Sequence, residues 1–266
     1  MMKDSDISVM RNMPHWSYSA MQCYISCPLK YRFRYIDNAP IERTAAALPF
    51  GRSFHAALSM RARNGAAVSA DDVKTCFADT LAMELRAAEN LTYKQGDSAD
   101  TLIKTGTLML DQMLQYWQDD YSVVSVAEAF TISVPGIEVP LIGEFDMVVH
   151  DGQDPCIVDW KTSSVRWAAD KADKDLQATT FSYAFRQIHD VLPLFRFDVI
   201  TKTREPSVES HYTMRSDDAL IRFEWLLNSM NRAVASGNFI PNETSFSCND
   251  CPYRGRCQQE HKKGAL

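Results

Sequence analysis

The chain has 266 residues, of which 45% are hydrophobic and 23% charged, with a formal net charge of −6. These proportions describe a globular protein and exclude a disordered, collagen-like or coiled-coil chain. No apolar run approaches the ~20 residues that cross a bilayer, no apolar signal core follows Met1, and the negative charge excludes nucleic-acid binding by bulk attraction.

In chain order, Ser19-Ala20-Met21-Gln22 reads as a capping box opening a helix that Pro28 interrupts. Pro28 suits the first turn of a second helix over 29–36, where Lys30, Arg32 and Arg34 alternate with Tyr31, Phe33 and Tyr35. A third helix is predicted over 50–63, with Gly51 and His55 one turn apart, followed by helices over 71–90 and 100–121. The texture then changes to β-branched residues, predicting strands over 123–134 and 139–149 around a turn at Pro135-Gly136. After the turn 150–155 comes an apolar strand, 156–160, then a helix over 173–189. Strands near 195–202 and 207–212, a helix over 217–236 and a cysteine-bearing tail complete the chain.

The expected fold class is α/β: an α-β-β-β-α-β core with a mixed sheet, a helical insertion and a cysteine-bound tail. It is read as one domain over 1–266. N-terminal helices span 17–63, the helical insertion 69–121, the sheet core 123–212, and the last helix with the tail 216–266.

The most informative residues are Asp146, Asp159 and Lys161. A hairpin with Val149 opposite Cys156 brings Asp146 opposite Asp159. Opposed residues on antiparallel strands carry Cβ atoms roughly 4.5–5.5 Å apart on one face. Two facing carboxylates repel unless a cation lies between them, and oxygen ligands suit magnesium or manganese. Lys161, two residues beyond Asp159, shares its face, while Trp160 points into the core. Such a set can hold a metal, orient a water and neutralise a pentacoordinate phosphate.

Gly143-Glu144-Phe145-Asp146 followed by Val158-Asp159-Trp160-Lys161-Thr162 resembles the metal-binding signature of the PD-(D/E)XK nucleases, specifically the RecB-type branch. That branch carries a histidine after a glycine on an earlier helix, matched by Gly51-Arg52-Ser53-Phe54-His55, and a glutamine after the lysine strand, matched by Gln177. The resemblance implies that His55, Asp146, Asp159 and the Trp160 carbonyl are metal ligands for Mg2+ or Mn2+. It implies that Lys161 stabilises charge or positions water, and that Gln177 holds the site or the DNA. The chain departs from the pattern at Phe181, where the family has a tyrosine; Tyr183 lies two residues on.

Seven cysteines, an odd number, argue against a disulfide framework. Cys248, Cys251 and Cys257 form a C-x2-C-x5-C tail whose thiolates need a metal or cluster and a fourth ligand. From spacing alone, zinc closed by the nearby His261 and an iron–sulfur cluster closed by a distant cysteine both remain open. RecB-type nucleases of the AddB and CRISPR-adaptation kinds bind a 4Fe-4S cluster through one early cysteine and three late ones. By that resemblance Cys27, in Cys27-Pro28-Leu29-Lys30-Tyr31, joins Cys248, Cys251 and Cys257, with Cys23 as competitor. Cys76 and Cys156 read as buried core thiols.

The basic and aromatic run 30–35 and the stretch 161–174, with Arg166, Trp167 and Lys171, are candidate DNA contacts. The resulting expectation is a metal-dependent DNA exonuclease acting on single-stranded or frayed ends, in recombination, repair, CRISPR adaptation or phage DNA processing. DNA is the expected partner, with a helicase or recombination protein beside it, in the cytoplasm of a prokaryote or its phage. Two competing readings are an iron–sulfur-stapled module that binds DNA or a helicase without cleaving, and a zinc-stabilised hydrolase of another substrate.

Overall fold

The structure, a computed structural model, describes residues 9–117, 122–245 and 248–262, the last two of these without their side chains. Among the described residues no helix is long and apolar enough to cross a membrane.

Two short helices open the fold. Helix α1, Tyr18–Ser26, is capped by the Ser17 hydroxyl, which accepts the Ala20 N–H. The capping residue is thus Ser17, two positions before the expected Ser19. Helix α2, Pro28–Tyr31, carries Pro28 in its first turn and relaxes into a wider π-turn over Arg32–Ile36. Three longer helices follow: α3, Ala47–Asn64; α4, Ala70–Ala87; and α5, Ala99–Tyr116. Ser69 with Asp72 and Ser98 with Thr101 form reciprocal capping boxes at the starts of α4 and α5. The two-residue strands β1, Thr44–Ala45, and β2, Leu91–Thr92, pair in parallel between them. The predicted end of α5 at 121 falls outside the described residues.

The main sheet runs β3-β4-β5-β6-β7, with β3 Ser122–Val134, β4 Ile137–Asp151, β5 Asp154–Ser163, β6 Leu194–Thr201 and β7 Val208–Met214. Only β5 and β6 are parallel, joined by the short α6, Lys171–Lys174, and by α7, Leu176–His189. A parallel neighbour requires such a crossover, whereas β3–β4 and β4–β5 turn tightly. Both tight turns depend on glycine, since Gly136 and Gly152 have φ of 78° and 68°. Helix α8, Asp217–Ala235, and helix α9, Arg254–Lys262, complete the chain.

Apolar cores lie on both faces of the sheet. Trp16, Met21, Phe145, Val148, Ile157, Phe181, Phe195 and Leu227 fill one, against α1, α7 and α8. Phe50, Phe54, Phe77, Leu110, Met147, Val149, Val158 and Trp160 fill the other, against α3, α4 and α5. A strand covered on both faces reads as a near-continuous apolar run, as Cys156-Ile157-Val158 does. A third, small cluster packs Leu29, Phe33 and Tyr253 between α2 and the tail.

The alternation of β4 changes phase at Asp146. Phe145 belongs to the first core and Met147, two residues on, to the second. The register pairs Val126 with Met147 and Glu128 with Phe145, leaving Ala127 abreast of Asp146. Ala127 adopts a left-handed φ of 50°, which an alanine tolerates only at a cost of order 1 kcal/mol. The local twist sits beside the acidic residue that the sequence singles out.

Candidate active site

The β4–β5 register follows the expected hairpin from Asp151↔Asp154 through Val149↔Cys156 to Met147↔Val158, and stops there. Asp146 and Asp159 therefore do not form the paired rung that the sequence predicts. Beyond Val158, β5 continues beside β6 as far as Ser163, and β4 parts from it. Asp146 reaches into the opening and accepts the Trp160 backbone N–H at 3.0 Å through Oδ2. In an extended strand a residue's N–H and C=O point to the same side, so the Trp160 carbonyl also faces this opening. The Trp160 ring is fully buried in the second core, as expected.

Helices close on the opening from both faces. His55, half-buried on α3, places Nδ1 3.1 Å from Asp146 Oδ2. A Cβ at Gly51, one turn earlier, would meet nothing within 4 Å, so packing does not explain that glycine. From the other face, Gln177 enters in the first turn of α7, its N–H held by the Asp175 cap at 2.8 Å. Its amide N–H donates to Asp159 Oδ1, and its amide oxygen accepts from Lys161 Nζ at 2.8 Å. Lys161 also pairs with Asp159 Oδ2. Asp159 is 1% exposed, so Lys161 and Gln177 enclose it almost completely.

The electrostatics follow from this enclosure. Burial raises the Asp159 pKa to about 6, opposed by Lys161 and reinforced by Asp146. Burial works the same way on Asp146, but His55 and Lys161 outweigh it and hold its carboxyl below the ordinary range. Lys161 loses to burial and gains more from Asp159 and Asp146, so it stays an ammonium.

Two carboxylates, an imidazole and a backbone carbonyl at one opening form an oxygen-rich set that suits magnesium or manganese. Among the described residues no three His, Cys, Asp or Glu side chains already lie close enough to hold an ion. A cavity of about 740 Å³ leads to the site, with His55, Asp146, Gln177 and Phe181 in its wall. Asp159 and Lys161 are not in its lining but are tied to Gln177, which is.

Sequence reasoning missed His15, Tyr18 and Arg52, which line the same cavity. Arg52 comes with α3, between Gly51 and His55, whereas His15 and Tyr18 arrive through one feature without a periodic signal. Trp16 forms an isolated parallel bridge to Leu141, with Trp16 N–H to Pro140 O at 2.9 Å and Ile142 N–H to Trp16 O at 2.8 Å. Of the basic run, Arg34 lines this cavity and a neighbouring one of about 320 Å³, as does Arg52. Arg32 instead pairs with Asp37 and Glu260, and Lys30 faces the cysteine tail. Tyr31 and Phe33 are buried in different cores, because α2 is wedged between the sheet and the tail. The 161–174 stretch is held down: Trp167 packs on Phe197 at 5.0 Å and Arg166 pairs with Glu209.

A separate cavity of about 490 Å³ is lined by Cys27, Cys248, Cys251 and Cys257. All four are free thiols. The Asn242 N–H points at Cys27 Sγ at 3.5 Å. Burial and the neighbouring thiols raise the pKa of Cys257 to about 11. Cys23 is buried in the first core and does not line this cavity. Cys156 is fully buried as expected, while Cys76 is only half-buried. The side chain of His261, the alternative local ligand, lies outside the described residues.

A five-stranded mixed sheet with helices on both faces, and acids and a lysine where two strands part, defines a restriction-endonuclease-like fold. The sequence matches the model of the PD-(D/E)XK nuclease superfamily over residues 15–258, and the chain belongs to that superfamily. The crystal structure of a candidate exonuclease from Eubacterium rectale is similar, with a TM-score of 0.60 and 13% identity. The match covers 95% of this chain and 93% of that one. The structure of SSO0001 is more distant, with 12% identity and a TM-score of 0.42 over 87% of this chain and 94% of that one. No curated protein matches the sequence.

Proposed function

We propose that the protein is a metal-dependent DNA exonuclease that hydrolyses phosphodiester bonds at single-stranded or frayed ends. The observation that carries this reading is the convergence of His55, Asp146, Asp159, Lys161 and Gln177 at the parting of β4 and β5, below a cavity large enough for a nucleotide. The exonuclease assignment of the Eubacterium rectale structure agrees with it.

Asp146, Asp159, His55 and the Trp160 carbonyl would hold Mg2+ or Mn2+. Such an ion, when bound, lowers the pKa of a water and offsets phosphate charge. Asp146 is already charged and oriented by the Trp160 N–H. Asp159, now paired with Lys161, would serve the ion on release from that pair, and the Lys161 ammonium would then be free to offset charge growing on the phosphate. Gln177 keeps Lys161 and Asp159 in register meanwhile. Arg34 and Arg52, shared by two adjoining cavities, supply a basic path for the strand.

By the family resemblance, the four cysteines that line the tail cavity would hold a 4Fe-4S cluster, with zinc as the alternative occupant. A cluster there would staple residue 27 to residue 257 around the nuclease core and serve structure. Recombination, repair, CRISPR adaptation and phage DNA processing all use such an activity, and a helicase partner accords with it. The setting proposed is the cytoplasm of a prokaryote or its phage.

The test is degradation of end-labelled single-stranded and duplex DNA with Mg2+ or Mn2+, against Asp159→Ala. Stepwise loss of label by the wild type alone is expected. Intact DNA with both proteins, despite binding, would favour the non-cleaving module, to which the enclosure of Asp159 lends some weight.

A further inference from the structure

Tyr18 opens α1 and lines the active-site cavity beside His55, Asp146 and Gln177. Its ring packs against the first core, and its hydroxyl lies near enough to Asp175 and Asp159 to interact with both charges. Among the described residues that hydroxyl makes no hydrogen bond. The hydroxyl is not among the buried polar atoms left without a partner, so it is open to solvent in the cavity that Tyr18 lines and is free to meet a ligand there.

Its position is also fixed from several sides. Two residues earlier, Trp16 is clamped to β4 by two backbone hydrogen bonds. The Trp16 indole donates to Asn231 at 3.1 Å and stacks on Tyr31 at 5.5 Å. Ser17 caps the helix in which Tyr18 is the first residue. A side chain pre-set in this way loses little entropy when a ligand arrives. Burial, then Asp175 and Asp159, push its pKa upward, so the hydroxyl keeps its proton and acts as a neutral donor.

The α7 wall offers no equivalent group. Phe181 contributes only a ring to the cavity, and Tyr183 turns away to donate to Glu224 at 3.1 Å. A phosphodiester approaching Asp146 and Asp159 meets two negative charges. A neutral donor at their side can grip a non-bridging oxygen without competing for the carboxylates, as an added lysine would.

We propose that the Tyr18 hydroxyl contacts the substrate, donating a hydrogen bond to a non-bridging oxygen of the DNA phosphate that lies over Asp146 and Asp159. This role rests on the nuclease reading. The non-bridging oxygens gain charge as phosphorus becomes pentacoordinate, so the bond strengthens in the transition state and acts on kcat more than on KM.

The test compares wild type with Tyr18→Phe, which keeps the ring. Degradation of a fluorescein-labelled oligothymidylate with Mn2+ gives kcat and KM; anisotropy of the same oligonucleotide with Ca2+ gives affinity, and thermal melting gives stability. Tyr18→Phe is expected to lower kcat about tenfold to a hundredfold, the range for a hydrogen bond to a charged group, with KM, affinity and melting temperature little changed. Unchanged kcat would overturn the proposal, as would a loss of rate matched by a fall in melting temperature. A wild type that binds the oligonucleotide yet leaves it intact would sink the nuclease reading and this role with it. A variant as active as a cleaving wild type would sink the Tyr18 role alone.

Discussion

The Asp146 carboxylate accepts the Trp160 backbone N–H at 3.0 Å, one residue past the last rung that joins β4 to β5. A side chain thus takes over the bond that a backbone carbonyl would have supplied, and the strands separate without orphaning a donor. Helices from opposite faces reach the carboxylates beside this gap, His55 pairing with Asp146 and Gln177 donating to Asp159.

Gln177 is expected to act through the groups it orients. Gln177→Ala removes the donor to Asp159 and the acceptor for Lys161 while leaving the cap at Asp175 in place. Metal affinity should fall about tenfold to a hundredfold, the usual cost of losing a group that orients a ligand. Calorimetric titration with Mn2+ measures it, and activity at saturating metal should recover in large part.

The two carboxylates give opposite pH signatures. The Asp159 pKa rises on folding from 3.8 to about 6 through burial, so the folded chain binds the extra proton. Its charge therefore costs stability above about pH 6, and that cost disappears on acidification. Asp146, held below 3.8, contributes stability at neutral pH that is lost as pH falls. An ion needs both groups deprotonated. The rise in melting temperature produced by Mg2+ should be greatest near neutral pH and shrink below about pH 6. An equal rise at acid and neutral pH would contradict this.

The cysteine cavity bears on the choice between Cys27 and Cys23 as fourth ligand, which the family resemblance leaves to experiment. Cys27 lines it with Cys248, Cys251 and Cys257, and Cys23 does not. Anaerobically purified wild type and Cys23→Ser should both be coloured by thiolate-to-iron absorption, and Cys27→Ser colourless with a lower melting temperature. A colourless wild type containing zinc would assign the cavity to zinc instead.

Gly143 tests how closely the core controls the site. A Cβ there would lie 2.4 Å from Cζ of Phe130, whose ring is tilted against Phe145 at a centroid distance of 4.8 Å. Gly143→Ala should therefore cost about 1–3 kcal/mol by overpacking, read from denaturant unfolding. Because Gly143 lies three residues before Asp146, activity should fall further than in a variant of equal stability altered in α5.

Much of this was legible in the chain. The hairpin register followed from symmetry about the turn at Gly152, and period-two spacing placed Lys161 on the face of Asp159. The face change at Asp146 was not legible, because it depends on a left-handed Ala127 that no propensity favours. Nor was the Trp16–Leu141 bridge, an isolated long-range pair that brings His15 and Tyr18 to the cavity. The alternation 30–35 does not show which side chains are free: Tyr31 and Phe33 are buried in two different cores, while Arg34 lines the cavity.

Glu42, in the segment leading to α3, accepts the N–H groups of Gly255 and Arg256 at 2.8 Å and 2.7 Å, in the first turn of α9. Asn242 likewise donates to the Ser26 carbonyl at 2.9 Å. These ties couple the early helices to the late tail, so the two should open together as one cooperative unit. In hydrogen–deuterium exchange, amides around residue 42 and around residue 255 would then lose protection at the same rate, although more than two hundred positions of sequence separate them.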